Sequence, residues 1–140
     1  MTPRLADFAG RWLVERAIDD ARAGQTGHFG GQATFTPDGE ALIYEEEGTL
    51  RLGDAAPVHA TRRYLWRQDG PDIAVLFPDG RPFHSFAPGA PGADHWCDPD
   101  SYRVAYDFAR WPDWTARWRV TGPRKDYAMT SRYCRAPGIG

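Results

Sequence analysis

The chain has 140 residues, enough to bury a substantial core, and it reads as one domain over 1–140. Its net charge of −2 comes from interspersed signs, which excludes a global attraction to nucleic acid or to a membrane surface. There is no apolar run of membrane-spanning length and no apolar signal region at Met1-Thr2-Pro3-Arg4-Leu5, and Cys97 and Cys134 lack metal-type spacing. A cytoplasmic protein with two reduced thiols is therefore expected.

Aromatic side chains make up 14% of the residues, and 15 glycines and 12 prolines punctuate the chain at short intervals, which favours many strands and turns over helices. Thr2-Pro3 reads as the cap and first position of one helical turn over 2–8. Gly10 then bends the chain into a first strand over 11–19, whose alternation sets Trp12, Val14, Arg16 and Ile18 on one face. After a polar loop comes a second strand over 28–36, with Phe29, Gly31, Ala33 and Phe35 together, turned by Pro37-Asp38-Gly39.

A third strand over 41–52 aligns Leu42, Tyr44, Glu46, Gly48 and Leu50, and a fourth over 58–67 aligns Ala60, Arg62, Tyr64 and Trp66. Asp69-Gly70-Pro71 leads to Ile73, Val75 and Phe77, and Pro78-Asp79-Gly80 to a strand over 81–86. A Pro/Gly loop over 87–92 precedes a short strand over 94–97, ended by Asp98-Pro99-Asp100. The last three strands alternate most cleanly: Tyr102, Val104, Tyr106 and Phe108 share a face, as do Trp114, Ala116, Trp118 and Val120, and Tyr127, Met129, Ser131 and Tyr133. Ten short strands without a crossover helix predict an all-β, antiparallel up-and-down barrel, since closure removes exposed strand edges. A two-sheet sandwich is the alternative.

Phe8-x-Gly10-x-Trp12 resembles the opening of the calycins, the lipocalins, fatty-acid-binding proteins and nitrobindin-type barrels. The resemblance implies a Gly-x-Trp at the mouth of the first strand and a basic residue of the last strand packed over the indole, here Arg135. The strand count is closer to the fatty-acid-binding and nitrobindin-type members than to eight-stranded lipocalins, and the whole chain also resembles a family of uncharacterised bacterial proteins. Nitrobindin-type haem barrels carry a His near the C-terminus; this chain has none after His95, and no cofactor is expected.

Hairpin registers follow from keeping apolar residues together. Pairing Ile18 with Phe29 sets Trp12 opposite Phe35 and Arg16 opposite Gly31. Pairing Phe35 with Leu42 sets Gly31 opposite Glu46, and Leu52 with Val58 sets Glu46 opposite Tyr64. Trp12 is then expected among Phe35 and Leu42. With strands roughly 4.8 Å apart, Arg16, Glu46, Arg62 and Tyr64 converge on one level of the inward face, with Gly31 and Gly48 leaving space. The remaining hairpins group Val104, Trp118 and Met129, then Tyr106, Ala116 and Ser131, then Phe108, Trp114 and Tyr133. Small Ala116 and Ser131 beside Tyr106 mark the expected cavity.

Buried charge is costly unless paired or ligand-facing, and two guanidiniums against one carboxylate leave a positive excess that suits an anionic head. The candidate ligand-binding residues are thus Arg16, Glu46, Arg62, Tyr64, Tyr106 and Ser131, with Trp66, Phe83, Trp96, Tyr106 and Trp118 as apolar walls. The bland alternative is that the charges satisfy one another in a closed core. His84, His95 and Cys97 suggest zinc, but inward Phe83 and Trp96 turn both histidines outward, and no metal is expected. Glu45 and Glu47 alternate away from Glu46, so no inward carboxylate pair forms. The outward arginines 103, 117, 119 and 132 lack aromatics on their own face, which discounts single-strand nucleic-acid binding.

The leading function is binding of a small, partly apolar molecule with an acidic or polar head. The alternative is acid–base chemistry by Glu46 and Tyr64 on a phenolic or carboxylic substrate. A filled barrel working through its surface is the third.

Overall fold

The computed structural model of the protein describes residues 2–90, 92–97 and 99–137, without the side chains of Trp96 and Cys97. Ten antiparallel strands form one sheet: β1 (Gly10–Asp20), β2 (Gln25–Asp38), β3 (Ala41–Leu52), β4 (Val58–Asp69), β5 (Asp72–Leu76), β6 (Pro82–Phe86), β7 (Gly92–Cys97), β8 (Asp100–Asp107), β9 (Trp114–Gly122) and β10 (Lys125–Arg135). Their order, β6-β5-β4-β3-β2-β1-β10-β9-β8-β7, bends the sheet into an up-and-down barrel sealed by the β1–β10 ladder. β6 and β7 lie side by side without a ladder, so the barrel is nearly closed.

Every strand expected from alternation is present, and the short strands β5, β6 and β7 are bounded by their Gly- and Pro-containing turns. The helical turn differs. It is a 3₁₀ turn over Leu5–Phe8, capped at Arg4 and not at Thr2. The Asp7 carboxylate accepts the Arg4 N–H at 2.7 Å while the Asp7 N–H donates to the Arg4 carbonyl at 2.9 Å, a reciprocal closure that Thr2 lies too far upstream to make.

That turn drives Phe8 into the barrel end, where its ring lies 4.9–5.7 Å from those of Phe35, Trp66, Phe108, Trp111 and Trp114. Gly10, at φ 114°, redirects the chain into β1; a Cβ there would stand 2.8 Å from the Arg135 guanidinium. Trp12 is fully buried beside it, donating from Nε1 to the Phe8 carbonyl at 2.9 Å, with the Arg135 guanidinium carbon 3.9 Å from its ring centroid. The Arg135-over-Trp12 arrangement implied by the calycin resemblance is present. The aromatic neighbours of Trp12 are Trp111 and Trp114, however, and the residue opposite it on β2 is Ala33, not Phe35.

The first three hairpin registers each differ from expectation by two residues. Ile18 faces Gly27, Phe35 faces Tyr44 and Leu50 faces Val58. A slip of two preserves which side chains point inward, so the core face is as expected while the partners change. The shift brings Gly31 directly opposite Gly48. A Cβ on Gly31 would meet the Glu47 carbonyl oxygen at 2.1 Å, and one on Gly48 the Gly30 carbonyl oxygen at 2.3 Å. Those glycines permit the close approach of two backbones, rather than making room for neighbouring side chains. The β8–β9–β10 registers agree with expectation: Val104 and Met129 flank Trp118, Tyr106 and Ser131 flank Ala116, and Trp114 faces Tyr133.

Candidate functional site

One end of the barrel is plugged by the aromatic cluster around Phe8; towards the other, the interior opens into a cavity of about 260 Å³. Its deep lining, Tyr44, Trp66, Tyr106, Trp114 and Tyr133, is buried, whereas Tyr64, Phe77, His95, Tyr102, Trp118 and Tyr127 are half-buried around the mouth. All six tyrosines of the chain line this one space. Each sits at an inward parity of its strand, so the pattern was available in the sequence, although only Tyr64 and Tyr106 stood out there.

Arg16 and Glu46 meet in the interior through registers other than those expected, and Ser131, grouped in the sequence with Tyr106 at the cavity, joins them. In the observed register Arg16 stands between Phe29 on β2 and Ser131 on β10, whereas Glu46 on β3 stands opposite Ala33, level with Trp12 and not with Arg16. The Arg16 guanidinium donates from both terminal nitrogens to the Glu46 carboxylate at 2.8 and 2.7 Å, and from Nε to Ser131 Oγ at 2.7 Å. Ser131 therefore supports Arg16 from behind and is not part of the cavity lining. Arg62 faces Glu46 directly on β4, its Nε 4.0 Å from Oε2, and keeps 43% of its side chain exposed at the mouth. Tyr64 lies opposite Tyr44 and not Glu46.

Tyr44 completes the buried cluster, donating its hydroxyl to Glu46 Oε1 while lying 3.0 Å from the Tyr133 hydroxyl. Burial alone would raise the Glu46 pKa; the hydrogen bonds and charge of Arg16, helped by Tyr44 and Arg62, hold it below the usual carboxylate range. Burial likewise works against the Arg16 cation, but its bonds to Glu46 outweigh that cost and raise its pKa. The Tyr44 and Tyr133 hydroxyls are pushed upward chiefly by burial and remain protonated.

His84 overturns its expected outward placement. Between β5 and β6 the register breaks at Val75/Leu76, with Leu76 facing Pro82 and Val75 facing His84, so Phe83 is the extra residue of a bulge. Consecutive Phe83 and His84 then both reach the interior, against strict alternation. His84 Nε2 lies 2.9 Å from the Tyr106 hydroxyl, and burial, with a smaller contribution from His95, lowers its pKa to about 3, leaving it neutral at ordinary pH. His95 is also turned into the cavity, its ring 5.3 Å from that of Phe83 and edge-on to it. The proposed partner of Phe83, the Trp96 side chain, and the Cys97 thiol lie outside the described residues. Tyr106 is thus committed to His84 and not to the Arg16–Glu46 cluster.

A ten-stranded, nearly closed barrel, plugged at its N-terminal turn, with an arginine stacked over the first-strand tryptophan and an aromatic interior, is a calycin-like barrel. The chain belongs to the Family of unknown function (DUF6314), whose profile matches residues 8–135. No curated protein matches the sequence. Among solved structures, the S-type phycobiliprotein lyase CPES from Guillardia theta is similar at a TM-score of 0.65 and 12% identity, over 96% of this chain and 91% of that one. A redesigned β barrel, mFAP1, bound to DFHBI, matches at a TM-score of 0.47 and 19% identity, over 95% and 100% of the two chains.

Proposed function

We propose that the barrel binds, inside its cavity, a small, partly apolar molecule carrying an acidic or polar head. The observation that carries this reading is the division of charge. Arg16 is committed to Glu46 and Ser131, whereas Arg62 stands half-exposed at the mouth with its cation only loosely matched. Below it the walls are aromatic, and the volume lies just under the roughly 300–1,000 Å³ of drug-sized sites, which favours a compact ligand. In this reading Arg62 and Tyr64 receive the head, Tyr106 belongs to the apolar wall, and Arg16, Glu46 and Ser131 hold the barrel's shape around them. The likeness to solved structures is one of fold, and the reading rests on the lining.

The alternative of acid–base catalysis by Glu46 with Tyr64 has less support. A carboxylate held below its usual pKa by two guanidinium bonds is a weak base, and no hydrogen bond joins Tyr64 to it among the described residues.

Titration calorimetry with octanoate, cinnamate and their primary amides tests the proposal. At least one acid is expected to bind more tightly than its amide. Arg62→Gln should weaken that acid by about 2 kcal/mol, roughly thirtyfold, because a charged hydrogen bond is lost. Absence of heat for every compound at millimolar concentration would remove the reading.

A further inference from the structure

We infer that the ligand is a planar aromatic monoanion, seated with its ring parallel to Phe83 and Trp118 and its charge at Arg62. The inference rests on the cavity being the binding site, and it narrows what that site takes. Phe83 stacks with three rings of the lining, each within 25° of its plane, although Tyr64 and Phe77 lie 48° from each other. Phe83 lies 12° from Trp118 at 5.4 Å, 23° from Phe77 at 4.8 Å and 25° from Tyr64 at 5.7 Å. Three others stand edge-on to Phe83, His84 at 87°, His95 at 88° and Tyr102 at 86°. All seven line the cavity.

The stacked rings touch one another, at 4.8–5.7 Å between centroids, and together make an aromatic wall with perpendicular ring edges beside it rather than a round hydrophobic hole. A flat ring lying against that wall meets a π-face on one side and ring edges at its rim, both favourable for the aromatic quadrupole. A saturated ring of the same carbon skeleton is thicker and gains only area burial. The bulge at Phe83 creates this arrangement, because it carries Phe83 inward beside His84 where strict alternation would have turned one of them out.

The charge count follows from the hydrogen bonds. Arg16 and Glu46 cancel within their two-bond pair, which leaves Arg62 as one formal positive charge among the arginine and carboxylate side chains of the lining. The deep phenols are occupied with partners of their own, Tyr44 with Glu46 and Tyr133, and Tyr106 with His84. The buried half therefore offers rings and the mouth offers a cation. A single negative group at one end of a flat ring system matches that polarity.

Calorimetry of the intact protein with 2-naphthoate, decahydro-2-naphthoate and 2-naphthamide tests this. These differ in turn by flatness at constant charge and by charge at constant flatness. 2-Naphthoate is expected to bind at least about tenfold more tightly than either of the others, the scale of one or two ring contacts or of a charged contact. Trp118→Leu should weaken the flat acid more than the decahydro acid and so remove most of the preference between them, since the stacking face is lost along with apolar area that both acids use. Equal affinities for the two acids, in the wild type, would overturn the stacking of a flat ring while leaving an acid-binding cavity intact. Equal affinities for naphthoate and naphthamide would overturn the single charge. Absence of binding by all three would overturn the inference together with the proposed function.

Discussion

The guanidinium of Arg16 on β1 and the carboxylate of Glu46 on β3, with β2 between them, meet through two hydrogen bonds of 2.8 and 2.7 Å in the barrel interior. Both side chains are almost wholly removed from solvent, at 5% and 1% exposure. Neutralising one partner leaves the other charge buried without compensation, whereas replacing both does not. Glu46→Gln is therefore expected to destabilise the fold by about 3–5 kcal/mol in urea melts, with Arg16→Met added to it recovering much of that loss. Loss of less than about 1 kcal/mol in the single variant would mean that water or a relaxed side chain already serves Arg16.

Trp12 and Arg135 close the plugged end in different ways. Trp12 supplies volume at the centre of the cluster, so Trp12→Ala should cost about 3–5 kcal/mol. Arg135 ties the 3₁₀ turn to β10 through bonds to the Ala9 and Asp7 carbonyls at 2.7 and 2.6 Å, from an exposed position. Arg135→Ala should cost about 1–2 kcal/mol, the sum of a surface cation–π contact and modest hydrogen bonds. Equal losses for the two variants, in the same melts, would contradict this division of labour.

Gly30 and Gly31 are neighbours with opposite constraints. Gly31→Ala forces a methyl against the Glu47 carbonyl and should cost about 3 kcal/mol or more, whereas a methyl on Gly30 meets nothing nearer than 3.5 Å. Gly30→Ala should stay within about 0.5 kcal/mol. Thermal melts of the two variants side by side check the close approach of β2 and β3.

Acid should weaken the fold in two stages. His84 titrates at about 3 in the folded protein against 6.5 in the unfolded chain, so the unfolded chain binds the extra proton between those values. Its contribution to stability is complete above pH 6.5 and falls as pH drops towards 3. Glu46, also lowered, contributes fully above its unfolded value of 4.5 and loses that contribution below it as the carboxylate takes its proton. Denaturant melts should show stability already declining between pH 6.5 and 5. His84→Asn should flatten that part of the profile while leaving the steeper loss below pH 4.5. An unchanged upper limb would place the sensitivity on another group.

The strand count, the inward face of most strands, that of Trp12 included, and the β8–β9–β10 layers were legible from alternation and turn residues alone, while the place of Arg135 over Trp12 was implied by the calycin resemblance. Side-chain period in a strand is two, so a run such as Trp114, Ala116, Trp118 and Val120 declares its buried face without any knowledge of its neighbours. The same period is why the cross-strand neighbours of Arg16, Phe29 and Ser131, were not legible. A register shifted by two residues leaves every face unchanged, and only the whole barrel, with the glycine pair Gly31 and Gly48 drawing β2 against β3, selects among such shifts. His84 was beyond reach for a different reason. Its inward turn depends on one unpaired residue between β5 and β6, a break in periodicity that no periodic pattern announces and that strand pairing alone decides.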